Sequence, residues 1–371
     1  MLFRLLNIPD GQDVKNYILQ KHRKMKIRNH AFVLFTIAFT VTFPGMLAQE
    51  SSPEPFLGRW SLDLDYKTSR VGWVEVRQEE GYLDADLLWR WGSVTPVEFV
   101  FAAGDRLFLT RSNRVVRERD EDGDPVRIQR QVDWFEIRKE DEDHISGMAY
   151  FPNSNGVGME TVLFKGTKIP PLPPAPDLSQ VEYGEPVELF NGKDLAGWRL
   201  MGENTVSGWK AVDGVLVNDP VQKEGQPHIN YGNLRTTDTF EDFKLELEVK
   251  VPEGSNSGIY LRGIYEVQVF DSYGKPPDPH NMGALYSRIT PSVSAEKPAG
   301  QWQEMEIILC NRHLTVLLNG TTIIDNEPVK GVTGEAISSD EFSAGPIFLQ
   351  GDHGKVSYRD IVLTPIMKQM R

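Results

Sequence analysis

The chain has 371 residues, enough for about two domains, and its 40% hydrophobic and 25% charged residues are the balance of a soluble globular protein. Forty Lys and Arg stand against 53 Asp and Glu, a net charge of -13. That argues against a nucleic-acid binder, which needs a basic surface, and against docking on anionic lipid.

In chain order, the first feature is a targeting segment at residues 1–48. The apolar run from Phe32 to Phe43 follows Lys21, Arg23, Lys24, Lys26 and Arg28 and precedes the small residue Ala48. A basic start, a short apolar centre and a small residue near its end make a secretory signal peptide. Pro44 and Gly45 interrupt the run before it reaches the roughly 20 residues of a membrane span. Met25-Lys26-Ile27-Arg28 opens a normal basic region, so Met25 is read as the true start. An uncleaved N-terminal anchor is the alternative. The expectation is an exported protein, periplasmic or secreted, with no stable membrane insertion once the signal is removed. The lone Cys310 has no partner for an internal disulfide, and a Cys-based zinc site needs several cysteines.

Residues 55–168 read as short strands. Trp73-Val74-Glu75-Val76-Arg77 alternates apolar and polar, as do Leu107-Phe108-Leu109 and Val126-Arg127-Ile128-Gln129. Gly81, Gly92, Gly104 and Asp122-Gly123 punctuate them. The pattern predicts a small antiparallel β-barrel or sandwich. The charged stretch 111–124 surrounds the Asp-Gly signal and reads as a solvated hairpin. Residues 169–185 hold Pro170, Pro171, Pro173, Pro174 and Pro176, which break a strand ladder and predict a linker. A strap lying across a single fold is the other reading of the same prolines.

From residue 186 to 367 the strand pattern sharpens. Phe243 to Val251 alternates over its whole length, with Lys and Glu on one face and Phe, Leu and Val on the other. Met305 to Leu309 leads through Asn311-Arg312 to Leu314–Leu318, and Asn319-Gly320 predicts a type I′ turn into Thr321–Ile324. No long helical period occurs after the signal. The expected fold class is all-β: a C-terminal jelly-roll β-sandwich preceded by the smaller β-domain.

The segment with chemistry is 254–274. Tyr260 and Arg262 share one strand face, and Glu266, Gln268 and Phe270 share a face of the next strand. Aromatic rings beside forked polar groups suit a sugar cleft, although an ordinary solvent-exposed sheet face carries the same residue types.

These residues also carry a resemblance. Asn256-Ser257-Gly258-Ile259-Tyr260-Leu261-Arg262 followed by Tyr265-Glu266-Val267-Gln268-Val269-Phe270-Asp271-Ser272 resembles the 3-keto-disaccharide hydrolase domain family. Leu189 to Trp198, Leu234-Arg235-Thr236, Gly283-Ala284-Leu285-Tyr286, Gly300-Gln301-Trp302, Gly345 to Gln350 and Asp352-His353-Gly354 are similar to further stretches of it, in the same order. Gly58-Arg59-Trp60 and Gly72 to Val76 resemble the N-terminal β-domain of some members. The resemblance implies a concanavalin-like jelly roll acting on a glycoside already oxidised at C3. A ketone at C3 acidifies the C2 proton; a base removes it, the enolate expels the C1 substituent, and water adds to the enone. Such a site needs a base, an enolate stabiliser and an acid.

The roles implied are as follows. Glu266 or His353 is the base, and Arg262, always charged and forked, stabilises the enolate. Asp271 and Asp352 orient His353 or Arg262, or one is the acid. Asn256, Tyr260, Gln268, Arg235, Gln350 and Trp302 hold hydroxyls or stack on the ring. Asp271, Asp352, His353 and Glu266 also offer donors for a divalent metal ion that would polarise the ketone. Two other readings stand beside this one. The first is a conventional two-carboxylate glycoside hydrolase using Glu266 and Asp271, which needs a bulge to bring positions five apart onto one face. The second is a carbohydrate-binding module without activity. No Gly-x-Gly-x-x-Gly opens a helix, so a nicotinamide oxidoreductase is not expected.

Overall fold

The alternating segments become strands, and among the described residues there is no α-helix, only 3₁₀ turns at Glu54–Phe56 and Leu178–Gln180. The computed structural model describes residues 51–203, 205–223 and 225–367. The signal segment read at 1–48 lies outside them. No helix among the described residues is long and apolar enough to cross a membrane.

The first sheet has nine strands: β1 (Gly58–Leu64), β2 (Val71–Gln78), β3 (Leu83–Trp89), β4 (Thr95–Pro96), β5 (Phe99–Ala103), β6 (Arg106–Arg119), β7 (Pro125–Lys139), β8 (His144–Pro152) and β9 (Met159–Ile169). Their order is β4-β3-β2-β1-β9-β8-β7-β6-β5, antiparallel throughout, and β5 comes back against β3. The sheet therefore curls around its own core, where Trp60, Leu62, Val74, Leu87, Leu107, Phe135 and Phe164 are buried. Trp89 sits among four rings, 5.0 Å from Phe135, 5.5 Å from Phe164, 5.7 Å from Phe151 and 6.4 Å from Tyr66. Gly147 is required there, because a Cβ on it would overlap the Phe164 ring.

The rest of the chain builds two facing sheets from β10 (Glu182–Tyr183), β11 (Val187–Glu188), β12 (Trp198–Leu200), β13 (Trp209–Val212), β14 (Val215–Asn218), β15 (Leu234–Thr236), β16 (Phe243–Lys250), β17 (Asn256–Leu261), β18 (Tyr265–Phe270), β19 (Trp302–Cys310), β20 (His313–Leu318), β21 (Thr321–Pro328), β22 (Phe348–Leu349) and β23 (Val356–Met367). One sheet runs β13-β14-β23-β16-β19-β20-β21, with β10 and β11 on β23; the other runs β12-β15-β22-β17-β18. This is the jelly-roll sandwich. Strict alternation of buried and half-buried residues along β16 places Phe243, Leu245, Leu247 and Val249 in the core between the sheets. The Asn-Gly turn has φ of 52° at Asn319 and 79° at Gly320, as a type I′ hairpin demands.

Val71, Trp73 and Leu88 of the first sheet are buried in the same core cluster as the jelly-roll residues. Arg288 packs its guanidinium 4.3 Å from the Trp73 ring, and burial lowers its pKa to about 10. The proline-rich stretch lies on the jelly roll: Arg312 donates to the Pro171 carbonyl at 3.2 Å and Asn326 to that of Pro176 at 2.9 Å.

Candidate active site

The site is built on the β17–β18 hairpin. The register pairs Asn256 with Phe270, Gly258 with Gln268 and Tyr260 with Glu266. Period-two alternation therefore puts Asn256, Gly258, Tyr260, Glu266 and Gln268 on one face, while Ile259, Val267 and Val269 enter the core. Tyr260 is fixed from both ends: its ring stacks on Phe348 of β22 at 3.8 Å, and its hydroxyl donates to the Gly334 carbonyl at 3.0 Å. The Glu266 backbone N–H donates to Thr333 Oγ1 at 2.9 Å, and the Tyr286 N–H donates to the Glu266 carbonyl at 2.9 Å.

Two loops close over that face. Residues 351–354 leave β22 carrying His353, and Asn218 pins them by donating to the Gly351 and Gly354 carbonyls at 2.9 and 3.1 Å. Residues 331–337 bring Glu335, whose φ of 60° turns the backbone at the rim. Together they enclose a cavity of about 160 Å³ lined by Asn256, Tyr260, Glu266, Gln268, Tyr286, Glu335, Gln350 and His353, with Gly92 and Gly334 at its wall. Sites for drug-sized ligands run to about 300–1,000 Å³, so this one suits a single small ring.

Glu266 is 4% exposed, and burial pushes its carboxyl up to about 8. The nearby Glu335 and Asp352 carboxylates add to the rise, while the Tyr260 hydroxyl and His353 oppose it. Glu266 is thus largely protonated at neutral pH. Glu335 is also raised, again by burial, against a Gln350 amide that donates to it at 3.0 Å. His353 Nδ1 lies 2.6 Å from Asp352 Oδ1, and this hydrogen bond raises the imidazole above its ordinary value. With Nδ1 committed to Asp352, Nε2 is the ring nitrogen left for a substrate. Three buried amide oxygens, Asn256 Oδ1, Gln268 Oε1 and Gln350 Oε1, have no hydrogen-bond partner. Burying such groups unpaired is costly, and a ligand with several hydroxyl donors removes the cost.

Of the residues singled out from sequence, Glu266, His353, Asn256, Tyr260, Gln268 and Gln350 are brought together, with Asp352 behind His353. Four are not. Arg262 falls past the strand end in a tight turn with φ of 53°, where Nε donates to the Ser343 carbonyl at 3.0 Å and Nη2 to those of Glu341 and Ser343 at 2.7 and 2.6 Å. Its fork is spent on backbone. Asp271 lies beyond the end of β18 and accepts from the Gly254 N–H at 2.9 Å. The β17–β18 ladder has no register shift, so the bulge needed to bring Asp271 beside Glu266 does not occur. Arg235 sits in β15 between Arg199 of β12 and Phe348 of β22, outside the cavity lining. Trp302 opens β19 in the other sheet, with the Lys250 ammonium 4.7 Å and the Arg359 guanidinium 4.2 Å from its ring.

Glu335 and Tyr286 complete the cavity without having been singled out for it. Both lie in loops with no strand period; Tyr286 ends the Gly283–Tyr286 stretch of the resemblance, and Glu335 carries no local signal beyond its residue type. Glu335, Asp352 and His353 each place a ligand atom within 4.8 Å of the others, a set that can hold a divalent ion. Asp271 and Glu266, the other two donors considered, are not in that group.

Residues 185–364 match the family of 3-keto-alpha-glucoside-1,2-lyase-like domains, in agreement with the resemblance carried by the sequence motifs. A 3-keto-disaccharide hydrolase from Bacteroides thetaiotaomicron is 30% identical over 33% of this chain and 52% of its own length. The chain thus spans about half of that curated relative. Two solved structures of candidate glycosyl hydrolases from Parabacteroides distasonis are similar. One is 27% identical, covering 53% of this chain and 92% of the other at a TM-score of 0.39. The second is 20% identical, covering 48% and 92% at a TM-score of 0.40.

Proposed function

We propose that this chain, whose residues 185–364 carry a 3-keto-alpha-glucoside-1,2-lyase-like domain, cleaves glycosides already oxidised at C3. The observation that carries the reading is the cavity itself. One wall holds a carboxyl that keeps its proton at neutral pH, another an Asp-supported imidazole, and unpartnered amide oxygens wait between them.

His353 Nε2 takes the C2 proton, and the C2–H electron pair becomes the enolate of the C3 ketone. The enolate collapses to a C1=C2 double bond, restores C3=O and expels the C1 oxygen. Glu266 gives that oxygen its proton. Water then adds across C1=C2: Glu266 takes back a proton as the hydroxyl bonds to C1, and His353 returns its proton to C2, so both groups are restored and the sum is hydrolysis. Burial keeps the Glu266 carboxyl protonated for the acid task, and the hydrogen bond to Asp352 leaves His353 Nε2 free for the base task. The amide N–H groups of Asn256 and Gln268 take the enolate role first given to Arg262.

A second reading, the conventional glycoside hydrolase, is favoured by one observation: Glu335 supplies a second carboxyl in the cavity, as Asp271 does not. Incubation with a 3-keto-glucoside and with its unoxidised parent separates the readings. Cleavage of the ketone alone supports elimination, cleavage of the parent supports the two-carboxylate enzyme, and binding without cleavage supports a carbohydrate-binding module. The basic and apolar N-terminal pattern supports action outside the cytoplasm, which N-terminal sequencing of the exported protein tests.

A further inference from the structure

The cavity wall includes Gly92, which lies outside the matched domain, in the β3–β4 loop of the first sheet. This loop is locked in place. The Val94 N–H donates to Ser287 Oγ at 2.9 Å, and Ser93 Oγ lies 2.9 Å from His280 Nε2. The Gly92 and Gly334 backbones approach so closely that a Cβ on Gly334 would overlap the Gly92 carbonyl. Gly334 in turn accepts from the Tyr260 hydroxyl, so the loop is coupled to the cavity floor through one residue.

Next to Gly92 stands Trp91, with 55% of its surface exposed. Single exposed apolar residues are ordinary, but this ring is braced. The Arg90 guanidinium lies 4.0 Å from its centroid and 3.8 Å from that of Tyr66, and Arg90 Nη2 donates to Thr68 Oγ1 at 3.2 Å. This stiffened aromatic ring is one residue along the chain from Gly92 in the cavity wall. The substituent on C1 has to lie outside the cavity, and a sugar presents apolar C–H faces to an aromatic plane.

We propose that the Arg90–Val94 loop forms a second subsite, in which Trp91 stacks against the departing sugar of a disaccharide-type glycoside. The inference rests on the 3-keto-glycoside reading of the cavity. It makes the first sheet a specificity element that rewards a second ring, with Trp91 binding the leaving group and taking no part in proton transfer.

The test compares full-length wild type, Trp91→Ala and Trp91→Phe on a 3-keto-disaccharide and on methyl 3-keto-glucoside, which lacks the second ring. The expected result is a loss of about 10-fold in kcat/KM for the disaccharide in Trp91→Ala, mostly through KM, recovery in Trp91→Phe and no change for the methyl glycoside. Equal loss on both substrates, or no loss on the disaccharide, overturns the subsite. If wild type cleaves neither ketone, the catalytic reading falls by itself. Calorimetric titration with the same two compounds then decides the subsite: selectively weaker disaccharide binding by Trp91→Ala supports it, and unchanged affinities overturn it.

Discussion

Gly258 lies directly beneath the Glu266 carboxyl: a Cβ placed on Gly258 would overlap Glu266 Oε1 and come within 3.0 Å of its Cδ and Cγ. The bare backbone at this position sets where the buried acid can sit. Gly258 has no positive φ to strain a larger residue, so Gly258→Ala tests the carboxyl position and not the backbone. Displacing a proton donor by an ångström is expected to lower kcat about 10²-fold. Steady-state kinetics with a thermal melt would check this. A large drop in the melting midpoint with unchanged kcat would assign Gly258 to packing instead.

The pH profile separates acid from base. With Glu266 as acid, kcat/KM falls as its carboxyl loses the proton near pH 8 and rises on the acid side as His353 becomes neutral. With Glu266 as base the sign reverses, and activity climbs through pH 8. Glu266→Gln should cost about 10²-fold or more and remove the alkaline limb.

The same group predicts a pH dependence of stability. Glu266 keeps its proton in the folded state up to about pH 8, while an unfolded Glu ionises near its ordinary value of 4.5. Between those values the folded state binds the extra proton, so stability falls as pH rises, by up to about 1.4 kcal/mol per pH unit from this residue. Glu266→Gln removes the dependence. Denaturant unfolding at several pH values should find the inactive variant more stable than wild type at pH 8, and equal or lower stability there would contradict the buried, protonated carboxyl.

How far the sequence spoke follows from where the information lies. Alternation along β17 and β18 places Tyr260, Glu266 and Gln268 on a common face, because strand period is a local property. Arg262 escaped the same reasoning because the strand ends one residue earlier, at Leu261, and a turn breaks the period. Glu335 and Gly92 reach the cavity through long-range packing, and no spacing rule connects residue 92 with residue 334. Residue type and a place in the Gly300-Gln301-Trp302 motif assign ring stacking to Trp302. Only the topology shows that β19 belongs to the other sheet, where two cations flank it.

Asp352 Oδ1 lies 2.6 Å from His353 Nδ1. Removing its charge in Asp352→Asn takes away the leading cause of the raised imidazole pKa. The acidic limb of kcat/KM should then move to lower pH, while kcat at the optimum declines modestly as the imidazole loses basicity and alignment. His353→Ala should cost about 10²-fold and erase that limb. An acidic limb that stays in place in Asp352→Asn would show that another group controls it.

Arg262 provides the last contrast, between a catalytic cation and a structural one. It is 3% exposed, and its donors reach the Ser343 and Glu341 carbonyls, so it ties the β17–β18 turn to the 341–343 loop. Arg262→Ala leaves those carbonyls short of donors and should lower stability by roughly 2–4 kcal/mol, since hydrogen bonds from a charged group are worth about 1.5–3 kcal/mol each and are not additive. Arg262→Lys keeps the charge but loses the fork, and should recover only part of that stability. Measured well below the melting midpoint, both variants should keep kcat within a few-fold of wild type. An enolate-stabilising guanidinium would give the reverse: a folded, stable Arg262→Ala protein whose kcat falls about 10²-fold or more.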